Sequence, residues 1–182
     1  MLAALAVLCA GVAQPALGQD APALAANPRG VYARINIAVP AEIIYRLRAP
    51  YGSDKRVAMR EVQGRPTAYM PPVLYALANA LAEDHPEEAI FWYHVGRIRA
   101  VYDALRCRDK TARAALIYLR KQLSPELVRL LATRPERLLR QVHQAVEWDA
   151  VNPQDYDYRW IALFGKVSRT SQGEDPEEAT LP

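Results

Sequence analysis

Apolar and polar positions fall into three regimes along this 182-residue chain. Residues 2–13 form an uncharged apolar run, residues 31–39 alternate apolar with polar, and from Thr67 onward apolar residues recur three and four apart. Alternation is the period of a strand, and recurrence at three and four is that of an amphipathic helix. The helical regime covers most of the chain.

Residues 72–83 are strong helix formers with Leu74, Leu77, Ala78 and Leu81 on one stripe. Asp84-His85-Pro86-Glu87 then reads as a capping box, in which the Asp carboxylate accepts from a first-turn amide, Glu87 reaches back, and Pro86 sits where its missing N–H costs nothing. This opens a helix to about Arg106. Asp109 is placed to cap a helix over 111–123, and Ser124-Pro125-Glu126 to cap another over 127–132. Thr133 and Glu136 repeat the capping box before a helix to about Trp148. Asn152-Pro153 interrupts, and 156–164 predicts one last short helix. Upstream of Thr67 the pattern is weaker. The alternating run 31–39 has no comparable run to pair with, so extended or mixed structure is expected, followed by a short helix over 41–48 and a loop over 49–54; 55–64 is ambiguous. Short connections make antiparallel neighbours. The expected fold is all-α, a compact array of about five to seven helices with a short extended N-terminal segment.

The first regime reads as an address. Residues 2–13 have the length of a secretory h-region, and Ala16-Leu17-Gly18 offers small residues at −3 and −1 of a cleavage site, which predicts a signal peptide over 1–18. A usual n-region carries Lys or Arg, whereas the first basic residue here is Arg29. Gly11, Gln14 and Pro15 interrupt the run before the ~20 apolar residues of a membrane span are reached. Residues 19–30, rich in Ala and Pro, read as an extended leader. Residues 31–166 read as one domain, and 167–182, without apolar periodicity, as a disordered acidic tail. The expected location is periplasmic or secreted. Of the two cysteines, only Cys107 lies beyond the cleavage site, so the fold is not a disulfide scaffold.

Charge divides the chain. From 97 to 140 there are twelve Lys or Arg against four Asp or Glu, whereas 168–182 has one Arg against Glu174, Asp175, Glu177 and Glu178. A basic middle favours an acidic envelope protein or a membrane surface as partner, with Arg113 and Arg120 as its exposed contacts; the alternative is a solvated helix face. Nucleic acid is not expected, because the aromatics are not interleaved with the basic residues as a stacking platform requires.

Residues 77–93 combine an Ala/Leu helix, a turn with a negative cap, and a second helix carrying Ala89, Trp92 and Tyr93. This stretch, within about residues 70–105, resembles one helix–turn–helix unit of the tetratricopeptide/Sel-like repeats. The resemblance implies a protein-binding scaffold. No second copy is visible at a period of 34 to 40 residues, and such repeats need about three units to bury a continuous core.

Three groups of residues are candidates for chemistry. On helix 86–106, Arg99 and Asp103 stand at i,i+4 and could pair, while His94 and Arg97, three apart, could project into a groove for an anionic group beside Tyr93 or Tyr102. The alternative is that His94 bonds within the core and the arginines snorkel. His143 with Glu147 and His85 with Glu88 have zinc-compatible spacings, but two ligands do not make a site, and no metal is assigned. Finally, residues 147–160 concentrate four acids and four large aromatics. Glu147, Asp149, Asp155 and Asp157 could supply the carboxylate pair of an envelope hydrolase, and Trp148, Tyr156 and Trp160 the platforms of a sugar site. The packing alternative is an aromatic clamp that docks the C-terminus. There is no Gly-rich phosphate loop and no Gly-x-Ser-x-Gly elbow, so neither a cofactor nor a catalytic residue is assigned.

These observations predict an exported bacterial interaction module: an immunity protein, an inhibitor or an envelope accessory factor. The alternatives are the hydrolase and a small-ligand or lipid-binding helical protein built around His94 and Arg97.

Overall fold

A computed structural model describes residues 30–133 and 135–170, and among these every regular element is helical. In chain order the α-helices are α1 (Ala38–Arg48), α2 (Ser53–Gly64), α3 (Pro71–Leu81), α4 (Pro86–Arg106), α5 (Ala114–Lys121), α6 (Pro125–Ala132), α7 (Pro135–Val151) and the single turn α8 (Val167–Thr170). Short 3-10 turns occupy Gly30–Arg34, Pro66–Ala68, Lys110–Arg113 and Tyr158–Phe164. The fold class is all-α. The predicted signal peptide and leader lie outside the described residues, as does the acidic stretch from Ser171.

The centre is the pair α3 and α4, joined by a short turn. α3 is the most apolar helix and is buried nearly all round, through Val73, Leu74, Tyr75, Ala76, Leu77, Ala78 and Leu81. α4 lies close against it at Gly96, where an added Cβ would meet the Leu74 Cβ and the Tyr75 ring at 3.1 Å. α1 and α2 pack on α3, α7 packs along α4, and α6 touches both α3 and α4. The 3-10 segment Tyr158–Phe164 closes the core with Trp160, Ile161, Leu163 and Phe164 buried against α4 and the 110–113 turn.

Local sequence explains where helices begin. Pro71, Pro86 and Pro125 occupy first-turn positions, where a missing N–H breaks no helical bond. The Ser124 hydroxyl accepts from the Leu127 amide at 3.2 Å and caps α6. The Asp109 carboxylate accepts from the Thr111 amide at 2.9 Å, so the expected cap forms, but it opens the 3-10 turn Lys110–Arg113 and α5 starts only at Ala114.

The structure departs from the expectations at the N-terminal run, at the loop 49–54, whose Ser53 and Asp54 already belong to α2, at the start of α4 and at the C-terminal end. Of the extended or mixed structure expected over 31–39, the mixed form is found: a 3-10 turn to Arg34, an irregular link and the start of α1 at Ala38, with Ile35 N–H donating to the Tyr32 carbonyl and Tyr32 and Ile35 both buried. The ambiguous 55–64 is α2, whose Ala58 and Val62, one turn apart, are both buried. Asp84 does not cap α4. The residue before that helix is His85, which makes no side-chain cap bond, and the Asp84 carboxylate shares the Tyr51 hydroxyl with Glu83, at 3.2 Å and 2.8 Å. The Thr133 hydroxyl donates back to the Arg129 and Leu130 carbonyls of α6, and the capping box expected between Thr133 and Glu136 involves side chains outside the described residues. At the other end the ordered fold runs past 166: Ser168 is buried, and its hydroxyl donates to the Gly165 carbonyl.

Candidate functional site: two faces of helix α4

Residues two apart on a helix point in nearly opposite directions. α4 uses this. Arg99 and Asp103 face α7 and the segment after it, whereas Arg97 and Val101 face α5 and α6.

The first face is a buried polar hub. Arg99 is 1% exposed and Asp103 is 0% exposed. They do not pair with each other as their spacing suggested. Arg99 Nε donates to Asp149 Oδ1 at 2.6 Å and Nη2 to the Asn152 carbonyl at 2.7 Å, while the guanidinium lies over the Trp148 and Tyr156 rings. Asp103 Oδ2 accepts from the Tyr156 hydroxyl at 2.9 Å and from Trp160 Nε1 at 2.8 Å. Burial pushes the Asp103 carboxyl up to about 6, against the lowering effect of those two hydrogen bonds and of Arg106 and Arg99. The Arg99 Nη1 and Asp103 Oδ1 atoms are left without protein partners.

The hub accounts for the aromatic and acidic cluster. Trp148 packs edge-on against Phe91 and Trp92 of α4. Tyr156 and Trp160 tie the chain after α7 to Asp103. Asp157 accepts from the Arg159 amide at 3.0 Å and from its guanidinium at 2.8 Å; burial opposes ionisation there, but these bonds prevail and hold the carboxyl below its ordinary range. Asp149 is engaged by Arg99, and Glu147 and Asp155 are exposed. The Asp155 amide donates to the Thr67 carbonyl at 2.8 Å. The contacts of Trp148, Asp149, Asn152, Tyr156 and Trp160 dock α7 and the segment after it onto α4, as a packing clamp requires, while Asp157 orders that segment locally and Asp155 ties it to Thr67.

A second latch adjoins the hub. The Asp109 carboxylate accepts from the Thr111 amide and hydroxyl and from the Val167 amide at 3.0 Å, and the Thr111 hydroxyl accepts from the Lys166 amide. Burial raises the Asp109 carboxyl, but these bonds outweigh it and leave it depressed.

The other face of α4 borders a groove of about 620 Å³, half-open to solvent, between α4, α5 and α6. Its lining is Tyr75 and Tyr93 at one side, the apolar Val101, Leu116, Ile117, Leu123, Val128, Leu131 and Ala132, and two arginines, Arg97 and Arg120. No carboxylate lines it. Ile117 is 64% exposed and Val128 50%. The pairing of apolar walls with guanidinium groups suits an anionic, partly apolar ligand.

The structure therefore separates the predicted residues. Arg97, Tyr93 and Arg120 share the groove; Arg113 is exposed at the turn leading into α5. Tyr102 does not line it, and Arg106 lies over its ring. His94 does not line it either: it is buried, its Nε2 has no partner, and burial together with Arg97 pushes it down to about 4. Trp148, Tyr156 and Trp160 belong to the hub, Asp157 caps the last 3-10 turn, and Asp155 is at the surface. His85 Nδ1 stands 3.9 Å from Glu88 Oε1, both exposed, and His143 and Glu147 are exposed. Among the described residues no cluster of three or more His, Cys, Asp or Glu could hold a metal, and no helix is long and apolar enough to cross a membrane. Cys107 is half-buried, and burial raises its thiol.

Sequence reasoning missed Tyr75, Leu116, Ile117, Leu123, Val128 and Leu131 as groove residues. The available signal was the basic and apolar i,i+4 repeat Arg97-Val101 beside Arg113-Ile117 and Arg120. Set against protein-family models, characterised proteins and solved structures, the chain matches none.

Proposed function

We propose that this chain is an exported interaction module that binds an acidic partner protein of the bacterial envelope through the groove between α4, α5 and α6. The observation that carries the reading is the groove itself: apolar walls, two arginines without an ion-pair partner among the described residues, and no carboxylate in the lining. Tyr and Arg in a partly apolar depression are the residue types that dominate protein interfaces. Of the carboxylates offered for a hydrolase, Asp149 and Asp157 are held by Arg99 and Arg159 and Glu147 and Asp155 stand at the surface, so the interaction reading is preferred to that alternative.

The test is capture from envelope extract by the tagged mature chain and by its Arg97→Glu/Arg120→Glu variant, at low and high salt, followed by mass spectrometry. One stoichiometric partner, released by salt and lost in the variant, supports the proposal. Capture that is indifferent to both the salt and the substitutions refutes it.

A further inference from the structure

We infer that the segment seated in this groove is an amphipathic helix of about two turns, with an apolar centre and acidic ends, supplied by the partner protein. The inference rests on the interaction reading above and adds the form and chemistry of what is recognised.

Two stripes carry the argument. On α4, Arg97 and Val101 line the groove and Leu105 continues their i,i+4 stripe just beyond it; on α5, Ile117 and Arg120 line it and Arg113, exposed in the turn before, continues that stripe beyond it. Each stripe places an apolar side chain in the middle and an arginine at one or both ends. At ~1.5 Å rise per residue, Arg97 to Leu105 spans about 12 Å and Arg113 to Arg120 about 10 Å, and two turns of helix measure about 11 Å. A helix laid along the groove would thus set two successive apolar turns over Val101 and Ile117 and bring its flanking carboxylates to guanidinium groups. This is the helix-in-groove mode, read out by anchors at i, i+3, i+4 and i+7.

The shape of the groove favours a helix over a small amphiphile. A single acyl chain would fill the bottom and leave the rim uncovered. Here the rim is where apolar surface stands in water, at Ile117 on α5 and Val128 on α6. A helix about 10 Å wide covers both walls at once. Tyr75, only 5% exposed, lines the groove, and its hydroxyl has no hydrogen-bond partner among the described residues. A carboxylate or backbone carbonyl of the incoming helix would give it one. Charge supplies the direction of complementarity: the lining carries two cations and no anion.

The test uses the full chain and three synthetic 16-residue peptides. The first has Glu at both ends and Leu at i, i+3, i+4 and i+7; the second has Lys in place of each Glu; the third is the first with a central Pro. Binding is read by calorimetry, and helix gain by circular dichroism. We expect the acidic peptide to bind in the micromolar range and become helical, with at least tenfold weaker binding by the Lys and Pro peptides. The Arg97→Glu/Arg120→Glu variant should lose at least tenfold for the acidic peptide and gain for the Lys peptide, and Ile117→Ser should lose about tenfold for both. Both arginines are exposed and unpaired, so the variant's melting curve should match the parent and exclude misfolding.

Three results would each overturn the inference: no binding of the acidic peptide below millimolar concentration, equal binding of the Pro peptide, or displacement of the acidic peptide by monomeric oleate, which would make the site one for a small amphiphile. Should the peptides fail while a partner is still captured from extract in an Arg97-dependent way, the helical form falls and the interaction reading stands.

Discussion

Two buried groups on α4 titrate in opposition, and the sign of each can be worked out from its environment. His94 is pushed from its ordinary 6.5 down to about 4, so on acidification the unfolded chain takes up a proton that the folded chain refuses. Its contribution to stability is complete above pH 6.5 and is lost as pH falls toward 4. Asp103 is raised from 3.8 to about 6, so here the folded chain takes up the proton first. Its contribution is complete below pH 3.8 and is lost as pH rises toward 6. At ~1.4 kcal/mol per pH unit of separation, each effect amounts to about 3 kcal/mol, over almost the same window. They nearly cancel in the native protein.

Substitution should therefore expose what the native chain conceals. Asp103→Asn keeps an oxygen to accept from Tyr156 and Trp160 but no longer titrates, so stability should fall by about 3 kcal/mol between pH 6.5 and 4. His94→Phe keeps a ring beside Tyr93 and also ceases to titrate, so stability should rise by about 3 kcal/mol over the same interval. The parent should change by no more than about 1 kcal/mol from these two groups. The assay is urea unfolding followed by tryptophan fluorescence at half-unit steps of pH. Comparing slopes and not absolute values removes any fixed packing cost of the substitution. An Asp103→Asn profile parallel to the parent's would refute the reasoning, because it would show that the buried carboxyl titrates alike in the folded and unfolded chains.

Other consequences follow from close contacts. Gly165→Ala would drive a Cβ into the Asp109 carboxylate, displacing the group that holds the Thr111 and Val167 amides; a loss of about 1–3 kcal/mol in chemical unfolding is expected, with early amide exchange at 165–168. Gly96→Ala gains helix propensity of ~1 kcal/mol but meets the Leu74 Cβ, which is fixed to its backbone, so overpacking of ~1–3 kcal/mol should leave a net loss measurable as a lower Tm. Arg99→Ala strands Asp149 and the Asn152 carbonyl and should cost about 3–5 kcal/mol, whereas Arg97→Glu, two residues away and exposed, should change stability by less than ~0.5 kcal/mol in the same denaturant assay.

How much was legible in the sequence depended on whether the relevant contacts were local. Helix periods are local, and so α3, α4, α6 and α7 were readable within a few residues, as were the caps at Ser124 and Asp109. The alternation at 31–39 left extended and mixed structure open, because strand and 3-10 turn differ in what lies beside them, and no partner strand exists among the described residues to satisfy the first. Asp84 had the right spacing for a cap, but α4 starts behind His85, and the Asp84 carboxylate lies with that of Glu83 around the Tyr51 hydroxyl, 33 residues away in sequence. The same limitation applies to the sites. The i,i+4 spacing of Arg99 and Asp103 made a pair plausible, yet each finds partners about fifty residues downstream, which no window of local sequence reveals. The groove was half-legible: Arg97, Tyr93 and Arg120 stood out as charged or aromatic, whereas Leu116, Val128 and Leu131 look like core until the neighbouring helices leave them uncovered.

The two faces of α4 are physically linked. A groove binds with less entropic cost when its walls are already fixed, and the walls here are short: α5 and α6 have eight residues each, too few to be stable alone. Their positions depend on α4 and α3, through Asn79, whose side chain donates to the Gln122 carbonyl at 2.8 Å and accepts from the Ser124 amide at 2.8 Å at the joint between α5 and α6. α4 in turn is held from behind by Arg99 and Asp103, which bind α7 and the segment after it. Charges buried at 1% and 0% exposure add little net stability to a core, because their desolvation offsets most of their pairing. What they impose is register: a rotation or slide of α4 would strand Arg99 and Asp103 in an apolar interior. The costly face thereby fixes the angle at which the other face presents Arg97 and Val101, and a partner would meet a preset groove and not one assembled on contact.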